Sequence, residues 1–248
     1  MSELEVTALP TAEEVVSTVV ADLIEYITAQ SAKGADVHIA LTGGTVGVAI
    51  NEALLSHELV RARPNVHFWF SDERYVQRGH ADRNDLNLEP LLEGCLAKVH
   101  HIAGPDSSDS VQASATAYAT ELHLATTTRF CADNTMMDIA IIGLGPDGHI
   151  ASIFPHSDTL SATSAVVAVT DSPKPPPVRV SWTYPTINAS RQTWIVATGQ
   201  AKAGAVAEIL ADDFESEDAS ELALAVTPAR GVNGKLRSRL IVDFAAAE

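Results

Sequence analysis

Short apolar runs alternate with amphipathic stretches along most of the chain. Val15, Val16, Val19, Val20, Leu23, Ile24 and Ile27 recur at helical spacing. Thr11 and Glu14 precede them as a capping box. Val37 to Leu41 predicts a first central strand, and Thr42-Gly43-Gly44-Thr45 turns the chain into a helix near Val46 to Leu55. Val66 to Phe70 predicts a second strand ending at Ser71-Asp72-Glu73-Arg74. A polar loop from Gln77 to Asn84 and an alanine-rich helix from Val111 to Thr127 follow. Met137 to Ile142 reads as a buried parallel strand, and Ala165 to Val169, Val178 to Trp182 and Thr193 to Ala197 as further strands. A helix from Ala201 to Leu210 and a strand near Leu240 to Phe244 close the pattern, so that the first element of the chain is the helix after Pro10. Strands alternating with helices predict an α/β fold, a mostly parallel sheet covered on both faces. Neither a linker nor an internal repeat interrupts it, so residues 1–248 are expected to form one domain.

Composition narrows the class. The chain has 248 residues, 46% of them hydrophobic, and a mean hydropathy of +0.09, which is globular rather than disordered. Apolar runs stop short of the ~20 residues a membrane helix needs. The acidic start, Met1-Ser2-Glu3-Leu4-Glu5, lacks the basic opening of a signal peptide, so a cytoplasmic protein is expected. Cys95 and Cys131 are too few and too far apart for a disulfide framework or a metal motif, and read as small apolar side chains in a reducing compartment. The net charge of −16 argues against nucleic acid and anionic membrane as partners. A phosphorylated small molecule stays open, because two or three local cations with backbone N–H groups suffice for it. Much of the acid lies between Asp212 and Glu221, read as a solvated loop or helix end.

The densest chemistry follows the Met137 strand, in Gly143-Leu144-Gly145-Pro146-Asp147-Gly148-His149-Ile150-Ala151-Ser152. Gly143, Gly145 and Gly148 match a dinucleotide fingerprint literally. The acidic residue expected about 20 positions on is missing, since Thr163 and Ser164 stand there. His149 beside Asp147 at a strand's carboxyl end suits a base of ordinary pKa near 6.5; the bland alternatives are a histidine capping a following helix and a Pro-Asp-Gly turn. Thr42, Gly43, Gly44 and Thr45 form a strand-to-helix turn whose N–H groups favour an anion. Arg74, next to the acidic pair Asp72-Glu73, suits an oxyanion or phosphate, and Arg179 and Lys202 are candidate phosphate clamps; the bland alternatives are an exposed charged loop and two surface cations. His80 and Asn84 in the polar loop can reach substrate. His38 and His67 read as packed strand residues, and His100-His101 lacks a metal-ligand partner at useful spacing. A metal site is unsupported by these spacings, and the missing acidic residue disfavours a nicotinamide cofactor. A Gly-x-Ser-x-Gly elbow is absent, which disfavours a serine hydrolase.

In order, these segments resemble 6-phosphogluconolactonases: Leu41 to Thr45, Ser71 to Val76 with His80 and Asn84, Gly143 to Pro155, Asp171-Ser172-Pro173-Lys174-Pro175-Pro176-Pro177-Val178-Arg179, and Gly199-x-x-Lys202. Two departures are Gln77, where the family usually has proline, and Val46-Gly47, where Thr-Pro is frequent. The resemblance implies a three-layer, Rossmann-like sandwich of the sugar-phosphate isomerase and deaminase type. It implies hydrolysis of 6-phospho-D-glucono-1,5-lactone without a metal or an organic cofactor, with His149, Asp147, Arg74 and Asp72 as the catalytic set. Thr42, Gly43, Gly44, Thr45, His80, Asn84, Arg179 and Lys202 would bind the sugar phosphate, in a monomer or weak homodimer. Glucosamine-6-phosphate deaminases share the fold and the Asp-Gly-His-Ile-Ala segment, but carry a glutamate where this chain has Phe154. A non-catalytic sugar-phosphate sensor is the third reading.

Overall fold

A computed structural model describes residues 3–211 and 217–248, including all side chains there except those of residues 128–133 and 217–221. The expectations for the acidic run Asp212 to Glu221 and for the Cys131 thiol concern side chains outside the described residues.

Ten strands are present: β1 Leu4–Leu9, β2 Val37–Leu41, β3 Val66–Phe70, β4 Asp72–Arg74, β5 Lys98–His100, β6 Met137–Gly143, β7 Val166–Val169, β8 Arg179–Trp182, β9 Ser190–Ala197 and β10 Arg237–Asp243. Seven form one sheet in the order β1-β10-β9-β6-β2-β3-β5, every pair parallel. Successive strand residues point to opposite faces. Since all residues of β2 and β3 are buried, and all of β6 but Gly143, both faces of the central sheet are covered. The long crossovers that parallel pairing demands carry the helices Ala12–Ser31, Gly44–Ser56, Val111–Asp133 and Ala203–Leu210. The first buries Val15, Val19, Leu23 and Ile27 along one stripe, and Thr11 Oγ1 accepts the Glu14 N–H at 3.2 Å to cap it.

Two features depart from the sequence pattern. The chain opens on a strand, not a helix: β1 pairs with the outer side of β10. Its residues lie at the sheet edge and none is fully buried, so their polarity blurs the alternation that marks a strand. Second, β7 and β8 do not join the parallel sheet. With β4 they make a separate antiparallel sheet in the order β4-β8-β7. The stretch between Val169 and Arg179 is shorter than the dozen or so residues a parallel crossover needs, so β8 can only fold back on β7. This small sheet matters for the site: its register sets Arg74 opposite Arg179 and Asp72 opposite Ser181.

Candidate active site

The chain runs from β2 to β3 on one side and later returns to β6 on the other. An open α/β sheet has its crevice at such a reversal, beyond the carboxyl ends of the strands. Thr42 Oγ1 accepts the Gly143 N–H at 3.0 Å, tying the ends of β2 and β6 together. A cavity of about 370 Å³ opens there, within the range of small-molecule sites. Thr42, Gly43, Gly44, Thr45, Asp72, Arg74, Asn84, His149, Arg179 and Lys202 all line it.

On one wall, the helix Gly44–Ser56 starts from Gly43 without a side-chain cap. The positive end of its dipole therefore lies at the cavity. Gly44 has φ +76, a conformation open to glycine. Gly43 is held by close approach, because a Cβ there would overlap the Asn84 carboxamide. Asn84 in turn donates from Nδ2 to the Asp72 carbonyl at 2.9 Å. Lys202 ends a short turn, Gln200–Lys202, and stands just before the helix Ala203–Leu210 rather than opening it as the pattern predicted.

The facing wall carries His149. Its Nδ1 lies 2.5 Å from Asp147 Oδ1, and Lys174 Nζ lies 2.9 Å from the same oxygen and 3.1 Å from Nδ1. Gly145 backs this cluster: a Cβ there would overlap both the imidazole and the Asp147 carboxylate. No helix follows directly. Gly145 donates its N–H to the His149 carbonyl at 2.8 Å, and Ile150 bridges back to Leu144, so a helix-capping role for His149 is excluded. The ring stacks on buried Phe154, with centroids 4.6 Å apart.

Asp72-Glu73-Arg74 is not an exposed charged loop. Asp72 and Glu73 are buried. Asp72 Oδ2 accepts the Ser152 hydroxyl at 2.7 Å and lies 3.9 Å from Arg179 Nη1. Arg179 also donates from Nε to the Pro176 carbonyl at 3.0 Å and from Nη2 to that of Lys174 at 2.9 Å, fixing the proline-rich segment. Arg74 donates from Nη1 to the Asp82 carbonyl. Glu73, which the sequence reading left out of the site, accepts the N–H groups of Arg74, Asn84 and Asp85 and pins the loop to the strand. Burial pushes its carboxyl up to about 7, against the pull of Arg83.

Burial also pulls the His149 imidazole below its ordinary value; Asp147 works against this and Lys174 with it. For Asp147, burial pushes the carboxyl up, but the bonds from His149 and Lys174 outweigh it and hold it at about 2. Lys202 is lowered by burial and by the Lys174 charge.

His80 is the candidate the fold does not bring in. It is exposed, lies outside the cavity lining, and accepts the Asp82 N–H at 3.2 Å within its own loop. Conversely, Lys174 and Thr198 line the cavity without having been singled out. Lys174 belongs to the proline-rich segment, whose flanking prolines signal stiffness and not reach. The metal-like donor set among the described residues is elsewhere: Asp36, His38 and His67 place ligand atoms within 4.8 Å. It suits a metal poorly. Trp69 Nε1 donates to His38 Nδ1 at 3.1 Å, so neutral His38 carries its own proton on Nε2, the atom a metal would need.

Residues 10–241 match the family described as glucosamine-6-phosphate isomerases/6-phosphogluconolactonase. The chain belongs to this family. A 6-phosphogluconolactonase of Streptomyces coelicolor is 34% identical over 91% of this chain and 86% of its own length. One from Mycobacterium tuberculosis is 34% identical over 91% of this chain and 90% of its own. The crystal structure of a 6-phosphogluconolactonase from Thermotoga maritima has a TM-score of 0.76 and 25% identity, covering 97% of this chain and 100% of that one. The family match takes in every cavity residue named above. Among the described residues, no helix is long and apolar enough to cross a membrane.

Proposed function

We propose that this chain hydrolyses 6-phospho-D-glucono-1,5-lactone to 6-phosphogluconate with His149 as the general base. The Asp147–His149 contact carries the reading. At 2.5 Å it needs one proton between the two atoms, and a carboxylate held at about 2 leaves that proton on Nδ1. Nε2 is then unprotonated, and among the described residues it has no protein partner. It takes a proton from a water attacking the C1 carbonyl. The tetrahedral intermediate collapses with cleavage of the C1–O5 bond, and the ring oxygen leaves as a hydroxyl after receiving a proton.

Arg74 faces the charge that develops on the carbonyl oxygen. The remote phosphate lies on Gly43, Gly44 and Thr45, with Thr42 at their base and Arg179 and Lys202 over it. Asp72 and Asn84 hold this frame in register and offer polar atoms to the sugar hydroxyls. Phosphate binding fixes the lactone against His149. We read residues 1–248 as a single domain working in the cytoplasm, a compartment that suits a chain with two cysteines, as a monomer or weak homodimer.

One observation weighs against the deaminase reading. Phe154 stands where deaminases of this fold carry glutamate, and its ring lies on His149 without a proton to exchange. A pH-stat assay with freshly generated lactone, corrected for spontaneous opening, tests the proposal. Acid release above background is the expected result. Ammonia release from glucosamine 6-phosphate would move the chain to the deaminases. Calorimetric binding of 6-phosphogluconate without lactone turnover would make it a sensor.

A further inference from the structure

Three charged or titratable atoms meet at the cavity wall, and general-base chemistry as proposed above uses only two of them. Lys174 Nζ completes a triangle with Asp147 Oδ1 and His149 Nδ1, with edges of 2.9, 3.1 and 2.5 Å. The proton accounting is strict. Nδ1 already donates to Asp147, so it has no lone pair in the ring plane for the lysine. The ammonium therefore bonds to the carboxylate alone, and stands beside the imidazole as a like charge whenever the imidazole is protonated.

The backbone aims this lysine. Its carbonyl accepts Arg179 Nη2 at 2.9 Å and the Ser172 hydroxyl at 3.0 Å, and its own N–H donates to Ser172 Oγ at 3.3 Å. Pro173 and Pro175 flank it with fixed φ. A long, flexible side chain on a surface loop rarely has its Cα so constrained. Nζ also lies 5.9 Å from the centre of the Phe154 ring, the platform on which His149 is stacked.

We propose that Lys174 is a positioning residue for the Asp147–His149 pair, holding the carboxylate in place and opposing positive charge on the imidazole, so that His149 stays in its neutral, proton-accepting form. The physical problem it answers is general. A carboxylate at 2.5 Å orients a histidine but also stabilises the imidazolium, and a histidine already protonated cannot act as a base. A cation bonded to that carboxylate removes the second effect and keeps the first. The other charged groups around His149 do not duplicate it. Asp72 favours the imidazolium. Arg179 is engaged with Asp72 and the loop carbonyls. Arg74 is tied to the Asp82 carbonyl. Lys202 lines the cavity but has no bond to Asp147 among the described residues.

This inference rests on the lactonase reading, and its test separates the two. The pH dependence of kcat/KM is measured for wild type, Lys174→Met and Lys174→Arg, with His149 titrated in parallel by NMR of ring-labelled protein. In Lys174→Met the acidic limb and the NMR midpoint are expected to move up together by roughly 0.5–1 pH unit, a half-exposed charge in a partly screened site. Activity then falls at pH 6 and is nearly kept at pH 8.5, while Lys174→Arg stays close to wild type. A uniform loss at all pH values with an unmoved NMR midpoint would overturn the proposal and leave Lys174 a structural residue. A raised KM with an unmoved limb would overturn it too, and make Lys174 a substrate contact. Wild type without lactonase activity would defeat the parent reading instead; the NMR midpoints alone then decide the charge relation.

Discussion

His149 at one end of the central sheet and the histidines packed towards the other end share burial and ring stacking, yet only one of the two places faces a cavity. At the carboxyl ends of the strands, His149 has one carboxylate on Nδ1, one aromatic face beneath it and an open cavity before it. Towards the amino ends of β2 and β3, His38 and His67 sit side by side in register, stacked with centroids 4.5 Å apart. His67 Nδ1 meets His100 Nε2 at 3.0 Å, His100 Nδ1 meets Glu121 at 2.6 Å, and the indole of Trp69 lies flat against His100. There His38 and His67 bond through Nδ1, His100 has both ring nitrogens engaged, and the rings pack against one another. A histidine becomes a reagent when one nitrogen is fixed and the other faces a cavity; a ring enclosed among other rings has no substrate to reach. Burial lowers the pKa in both places, so that direction alone does not tell them apart.

Breaking the comparison at its reactive end gives the largest effect. His149→Ala is expected to lower kcat by about 10²- to 10⁴-fold with KM little changed; steady-state kinetics on fresh lactone check it, and wild-type turnover would remove the imidazole from the chemistry. Gly145→Ala should cost nearly as much, on the order of 10²-fold, because the added methyl displaces both members of the pair. Phosphogluconate binding should survive in that variant, as calorimetry would register.

The packed histidines are tested by stability. Burial, then the neighbouring His100 and Lys98, hold His67 down at about 4. The unfolded chain takes up a proton near pH 6.5 that the folded chain refuses until about pH 4. Stability from this group is therefore full above pH 6.5 and falls as the pH drops towards 4. Urea unfolding at pH 7.5 and pH 5 should differ by roughly 1–2 kcal/mol from this residue. In His67→Gln that slope should flatten while lactonase activity at pH 7.5 is kept; an unchanged slope would mean that His67 is not buried neutral. The smallest effect belongs to His80→Ala. An exposed side chain outside the cavity should leave kcat/KM within about twofold of wild type, and a larger loss would bring the polar loop back into the site.

What the sequence made legible follows how local each signal is. Asp147 and His149 are two residues apart after a run of buried apolar positions, so strand, turn and pair can be read together. The Thr42 to Thr45 turn is legible for the same reason. Lys174 is separated from His149 by 25 positions and reaches it only because β8 folds back on β7 and carries Arg179 under the loop. No periodicity in the chain announces that. His80 shows the converse: it lies in a family-like motif, yet its loop turns it towards Asp82 and solvent, outside the cavity lining. β1 escaped notice because an edge strand needs a partner more than a pattern, and that partner, β10, lies at the far end of the chain.

Ser71 is the single residue between β3 and β4. Its N–H bonds to the Leu41 carbonyl at 3.2 Å and its carbonyl accepts the Trp182 N–H at 2.8 Å, so one residue is stitched to both sheets. The link between the two sheets is therefore as short as a chain allows. Asp72, Arg74 and Arg179 are placed by β4 and β8 directly beside that link. A ligand entering the cavity meets a wall that this residue anchors to the central sheet.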